Sequence, residues 1–162
     1  MRKCLHVWEA ELAGDPDKDF ILSGLRLGFS LVDYDVQDIP QAFTKNHASV
    51  RQPHNKQKVH DKIIAELLEG NYMISQQQPR IVSALAAIDK PDGGIRLIHD
   101  LSRPKDQSLN DYAFKDECTY TTLTDALSQC HPNTWLAIID LYNAFRSIPI
   151  KPEQWTITGL QW

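Results

Sequence analysis

The chain is 162 residues long with a mass of 18.5 kDa, enough for one domain or a piece of a larger one. A composition of 42% hydrophobic and 23% charged residues excludes a disordered tail, a collagen-like repeat and a low-complexity polymer. Seventeen Lys and Arg against twenty-one Asp and Glu leave a net charge of −4, which weighs against a nucleic-acid binder as a whole and leaves room only for a local basic patch.

The start, MRKCLHVWEAELAGD, lacks the apolar run and small-residue cleavage site of a signal peptide. No stretch reaches the ~18 consecutive apolar residues that cross a membrane, so no membrane partner is expected. Residues 1–78 read as a helical, polar segment. Asp15-Pro16 resembles an N-cap followed by proline at the first helical position, opening a helix that presents Phe20, Ile21 and Leu25 and stops near Gly28. Asp15, Asp17 and Asp19 are spaced like the start of a calcium loop, but Phe20 stands in the glycine position and Arg26 in that of the bidentate glutamate. Residues 40–55, with two prolines and little apolar content, read as a connector. Val59, Ile63, Ile64, Leu67 and Leu68 then recur at helical spacing up to Gly70.

Residues 79–162 change texture. Ser83–Asp89 is an apolar strand, Lys90-Pro91-Asp92-Gly93-Gly94 a turn, and Ile95–Asp100 the returning strand of a hairpin. Residues 102–118 are polar and turn-rich, and Thr122–Cys130 reads as a helix. The short apolar run Thr134–Ile139 has the character of a buried central strand with Asp140 at its end. Ile148, Ile150 and Trp155–Trp162 suggest two more strands, and the apolar pattern reaching Trp162 suggests a chain cut at its C-terminus. Cys4, Cys118 and Cys130 are odd in number and widely spaced, which fits a reducing compartment and no disulfide framework. Neither Cys4 with His6 nor Cys130 with His131 has the spacing of a structural zinc site.

Taken alone, Asp140 would be a helix cap, Lys90 a turn lysine and Arg96 an exposed strand charge. In order, however, Lys90-Pro91-x-Gly93-x-x-Arg96-x-x-x-Asp100-Leu101, then Asn110, then Asp140-x-x-x-Ala144-Phe145 and the closing Thr158-Gly159-Leu160-Gln161-Trp162 resemble the fingers and early palm of reverse transcriptases. The flavour is that of retrotransposon polymerases, including the DIRS-type elements that pair a reverse transcriptase with a tyrosine recombinase. The resemblance covers residues 79–162; over residues 1–78 it is limited to the helical lead-in ending at Gly70.

The resemblance implies an α+β chain: a helical N-terminal segment, then β-rich fingers and the first palm strands of an RNA-directed DNA polymerase. It implies Asp140 as a catalytic metal ligand, with the backbone carbonyl of Leu141 as another, holding two Mg²⁺ ions for nucleotidyl transfer. Arg96 would fork onto the triphosphate of a deoxynucleoside triphosphate and Lys90 would supply a mobile point charge. Phe145 would lie under the sugar and exclude a 2′-hydroxyl, or else be core beside Ala144 and Ile148. Asp100 and Arg103 would brace the fingers by pairing, with Asn110 at the polar end of that motif.

The partners implied are an RNA or DNA template-primer and the nucleotide. The second acidic motif of the family, aromatic-x-Asp-Asp, does not occur, and the clusters Asp33-Tyr34-Asp35 and Asp38 precede Asp140 where the family places the motif after it. The expectation is therefore a polymerase fragment that is inactive alone. The rival is a non-catalytic relic of a retroelement, with a nucleic-acid-binding or structural role or none.

Overall fold

The computed structural model of the chain describes residues 4–115, 119–140 and 144–162. It is a mixed α+β structure of short helices around a small sheet. Helix α1 spans Leu5–Glu11 and α2 spans Lys18–Leu27. The second helix begins two residues later than Asp15-Pro16 suggests, because the Asp15 carboxylate accepts from the Asp17 N–H and spends those residues on a turn. The inward face of α2 is Leu22, Gly24 and Leu25, whereas Phe20 is exposed. Gly28 closes it at φ 99°, ψ 150°, a region essentially restricted to glycine. The chain there runs so close to residues 150–151 that a Cβ on Gly28 would lie 2.4 Å from their backbone. Hydrogen bonds from Phe29 N–H to Pro149 and from Lys151 N–H to Phe29 seal this contact.

Residues 40–55 are not a mere connector. Ala42–Phe43 form strand β1, a 3₁₀ turn covers Ala48–Arg51, and helix α3 starts at Pro53 and runs to Leu68. The polar residues that make this stretch look like a loop satisfy the neighbouring strand: Asn46 accepts from Leu85 N–H and Ser49 from Ala87 N–H. That neighbour is β2, Ile81–Asp89, which pairs antiparallel with β3, Ile95–Asp100. On its other side β2 runs parallel to β1; β4, Gly159–Leu160, lies on the β3 edge and pairs parallel with Val82 and Ser83.

Two apolar clusters hold these elements. In one, Val50, Val59 and Ile63 of the α3 region pack on Leu85, Ala87 and Ile95 of the hairpin. In the other, Val32, Val36, Ile39 and Ala42 meet Ile81, Leu109 and Ile157. Both clusters draw on residues from each side of position 79, so the change of texture there is not a boundary between separate cores. Burying such side chains is worth ~1.5–3 kcal/mol each, which is why the pairing is made across the whole chain.

The C-terminal half departs from expectation in two places. Residues 134–139 form no strand, and Trp135, Leu136, Ile138 and Ile139 are exposed. A continuous apolar run becomes a central strand only where neighbours cover both faces. Here β2 is already paired with β1, β3 and β4, and none of the described strands pairs with 134–139. Residues 152–157 form a 3₁₀ helix opened by Pro152, so only Gly159–Leu160 of the expected 155–162 strand is extended and paired. The stretch around Ile148 and Ile150 contributes a single bridge, Phe29 to Ile150. Helices α4, Leu109–Tyr112, and α5, Leu123–Ser128, each open with a capping box, Ser108 with Asp111 and Thr122 with Asp125. The hydroxyl and N–H donors of those boxes hold both aspartates below the usual carboxylate range.

Candidate functional site

The hairpin forms as its residues dictate. Gly93 N–H donates to Lys90 at 3.0 Å, Lys90 N–H donates to Gly94 at 2.9 Å, and Gly93 takes the positive φ of 80° that this three-residue loop requires. Asp92 accepts from Gly94 N–H and stiffens the turn. From α3, the Lys58 ammonium donates to the Gly93 carbonyl at 2.7 Å, tying the tip to the helix behind it.

Lys90 is exposed at the start of the turn, and Arg96 is exposed on β3 directly opposite Ile88. Neither has an ion-pair partner among the described residues. Two free cations on one rigid hairpin are suited to anionic oxygens, Arg96 by its planar fork and Lys90 as a point charge.

Asp140 is exposed at the end of the 134–139 run, and no hydrogen bond or ion pair joins it to Lys90 or Arg96. Leu141 lies outside the described residues, as do the two that follow it. Among the described residues no three His, Cys, Asp or Glu side chains come together to hold a metal ion. One exposed carboxylate does not by itself fit the pair of Mg²⁺ ions that the resemblance implies.

Phe145, in a 3₁₀ turn over Ala144–Ser147, is 92% exposed, which removes the reading of it as core. The pairing of Asp100 with Arg103 also gives way: Asp100 faces His47 at 3.2 Å and accepts from Ser102 N–H. Asn110 donates to Ser102 Oγ and bonds through its backbone to Leu101, so it secures the chain leaving β3.

Sequence reasoning missed the groups that fix the 144–147 turn. Arg146 Nε lies 3.2 Å from Glu66 of α3, its terminal nitrogen donates to the Tyr72 hydroxyl at 2.8 Å, and its guanidinium carbon sits 5.1 Å from the Tyr72 ring centroid. Glu66 also accepts from Asn71 Nδ2 at 2.8 Å. A glutamate interrupting the apolar stripe of α3 between Ile63 and Leu67 was the available signal. His99 was missed too. Burial is the main force pushing its pKa down, with the nearby Arg146 charge adding to it; a hydrogen bond to the Gly159 carbonyl and the Asp100 charge oppose the shift.

No family model, curated protein or solved structure matches the chain.

Proposed function

We propose that residues 79–162 are the fingers and first palm element of an RNA-directed DNA polymerase of a retroelement, a nucleotidyltransferase that takes deoxynucleoside triphosphates on an RNA or DNA template-primer. The observation that carries the reading is the hairpin. Its turn falls on Lys90–Gly94, and the two motif cations, Lys90 and Arg96, project from it exposed and unpaired. That is the arrangement needed to meet a triphosphate.

In this reading Asp140 would supply only one of the carboxylates that a Mg²⁺ pair needs, with the Leu141 carbonyl beside it. The reading needs further carboxylates that these 162 residues, with no aromatic-x-Asp-Asp, do not supply. Losing that arm removes the clamp on attacking and leaving oxygens, so the 162-residue chain is expected not to extend a primer.

The test is extension of a labelled primer on RNA and DNA templates with Mg²⁺ or Mn²⁺, beside an Asp140→Ala control. The same assay is then run on a chain completed with a palm that carries the second acidic motif. Extension by the completed chain that vanishes with Asp140→Ala supports the reading. Extension by the 162 residues alone, lost in the control, would show that an N-terminal acid such as Asp33 or Asp35 completes the site. A completed chain that binds template-primer but never extends it leaves the non-catalytic reading.

A further inference from the structure

The charge of this chain is unevenly placed. Residues 40–62 hold five lysines and arginines against one aspartate, a net of +4, while the remaining residues hold twelve against twenty, a net of −8. The fold sets part of this basic stretch around a cavity of about 260 Å³ lined by Phe43, Lys45, Asn46, Arg51, Gln161 and Trp162. Phe43 is 49% exposed and Trp162 43% exposed, so both rings offer area to solvent. The two ends are locked together. Asn46 Nδ2 donates to the Gln161 carbonyl at 2.8 Å, and Trp162 Nε1 donates to His60 of α3 at 3.3 Å. Neither Lys45 nor Arg51 has an ion-pair partner among the described residues.

We infer that this pocket binds single-stranded nucleic acid, with a base resting on Phe43 or Trp162 and the flanking phosphates on Lys45 and Arg51. Exposed aromatic rings interleaved with unpaired cations are the means by which proteins hold unpaired bases without reading sequence. The volume lies below the ~300–1,000 Å³ of sites that enclose a whole small ligand, which favours a strand passing across the pocket with one base in it. A chain of net −4 gains affinity for a polyanion only where its positive charge is concentrated, as it is along 40–62. The site goes beyond the proposed polymerase reading. Its lining comes from residues 43–51 and from the two residues after β4, and includes none of Lys90, Arg96, Asp140 and Phe145.

The experiment is fluorescence anisotropy of a labelled oligothymidylate titrated with the 162-residue protein over a range of salt, without metal or nucleotide. The parent should bind and quench tryptophan emission. The double variant Lys45→Ala/Arg51→Ala should bind more weakly and lower the slope of log affinity against log salt by about 1.4, the contribution of two phosphate contacts on a single strand. Phe43→Ala and Trp162→Ala should each lose about fivefold or more, whereas Phe43→Tyr, which keeps a ring, and Lys105→Ala, an exposed lysine elsewhere, should bind like the parent.

The proposal is overturned if the parent does not bind, or if a duplex of the same length binds as well as the single strand. Losses no greater in the pocket variants than in Lys105→Ala overturn it equally. Circular dichroism of each variant separates loss of the pocket from loss of fold. A protein that binds the oligonucleotide yet fails in primer extension when completed retains this inference and loses the polymerase reading.

Discussion

Removing the Arg146 side chain should loosen the attachment of the 144–147 turn to α3, and the structure supplies the magnitude. Arg146 ion-pairs with Glu66 at 3.2 Å and donates to Tyr72, with side-chain exposures of 28% for Arg146 and 11% for Glu66. A fully exposed ion pair contributes only ~0.2–1 kcal/mol, and breaking a fully buried one costs ~3–5 kcal/mol. This pair lies between, and Asn71 stays on Glu66 after truncation, so Arg146→Ala should cost about 2–3 kcal/mol. Arg146→Lys, which keeps the charge but not the fork and the stacking on Tyr72, should cost about half as much.

The assay is urea unfolding followed by circular dichroism, comparing midpoints at constant slope. A double-mutant cycle with Glu66→Gln should give a coupling of about 1–2 kcal/mol. Because the Arg146 charge helps to lower the His99 pKa, an NMR titration of Arg146→Ala should show that pKa move up. A loss under ~0.5 kcal/mol, or a cycle with no coupling, would refute the claim that this pair anchors the turn.

Gly28→Ala should destabilise by at least ~3 kcal/mol, since its Cβ meets the backbone of 150–151 and its dihedrals exclude other residues, whereas Gly70→Ala, at φ 77° in open space, should cost only ~1–2 kcal/mol; unfolding midpoints compare the two. Burial lowers the His99 pKa in the folded chain, so the unfolded chain binds more protons between the folded and unfolded values. The contribution of His99 to stability is complete above the ordinary imidazole value of 6.5 and is lost as pH falls through the folded pKa; His99→Gln should flatten that dependence in denaturation curves taken from pH 7.5 to 5. Phe145→Ala should change stability by less than ~0.5 kcal/mol, because the ring is exposed, yet in a chain completed with palm and thumb it should raise ribonucleotide incorporation. Incorporation unchanged from the parent would deny Phe145 the role of a gate.

What the sequence determined by itself was local. The Lys90–Gly94 turn, the two strands it joins, the α3 stripe ending at Gly70 and the Thr122 helix start all follow from signals within a few residues, where turn chemistry, period and capping agree. So did the exposure of Lys90 and Arg96, since a charge at a hairpin tip or on an outward strand position has no reason to be buried. Tertiary structure decided what depends on partners far along the chain. Residues 42–49 look like a loop until β2 offers them an edge, and residues 134–139 look like a core strand until no described strand pairs with them. Pro152 turned part of an apolar stretch into a 3₁₀ helix, leaving two residues to pair as β4. Glu66 meets Arg146, His47 meets Asp100, and Asn46 meets Gln161 across more than 50 residues in each case. No periodicity encodes such meetings, because burial and charge pairing are settled only when distant elements compete for the same surface.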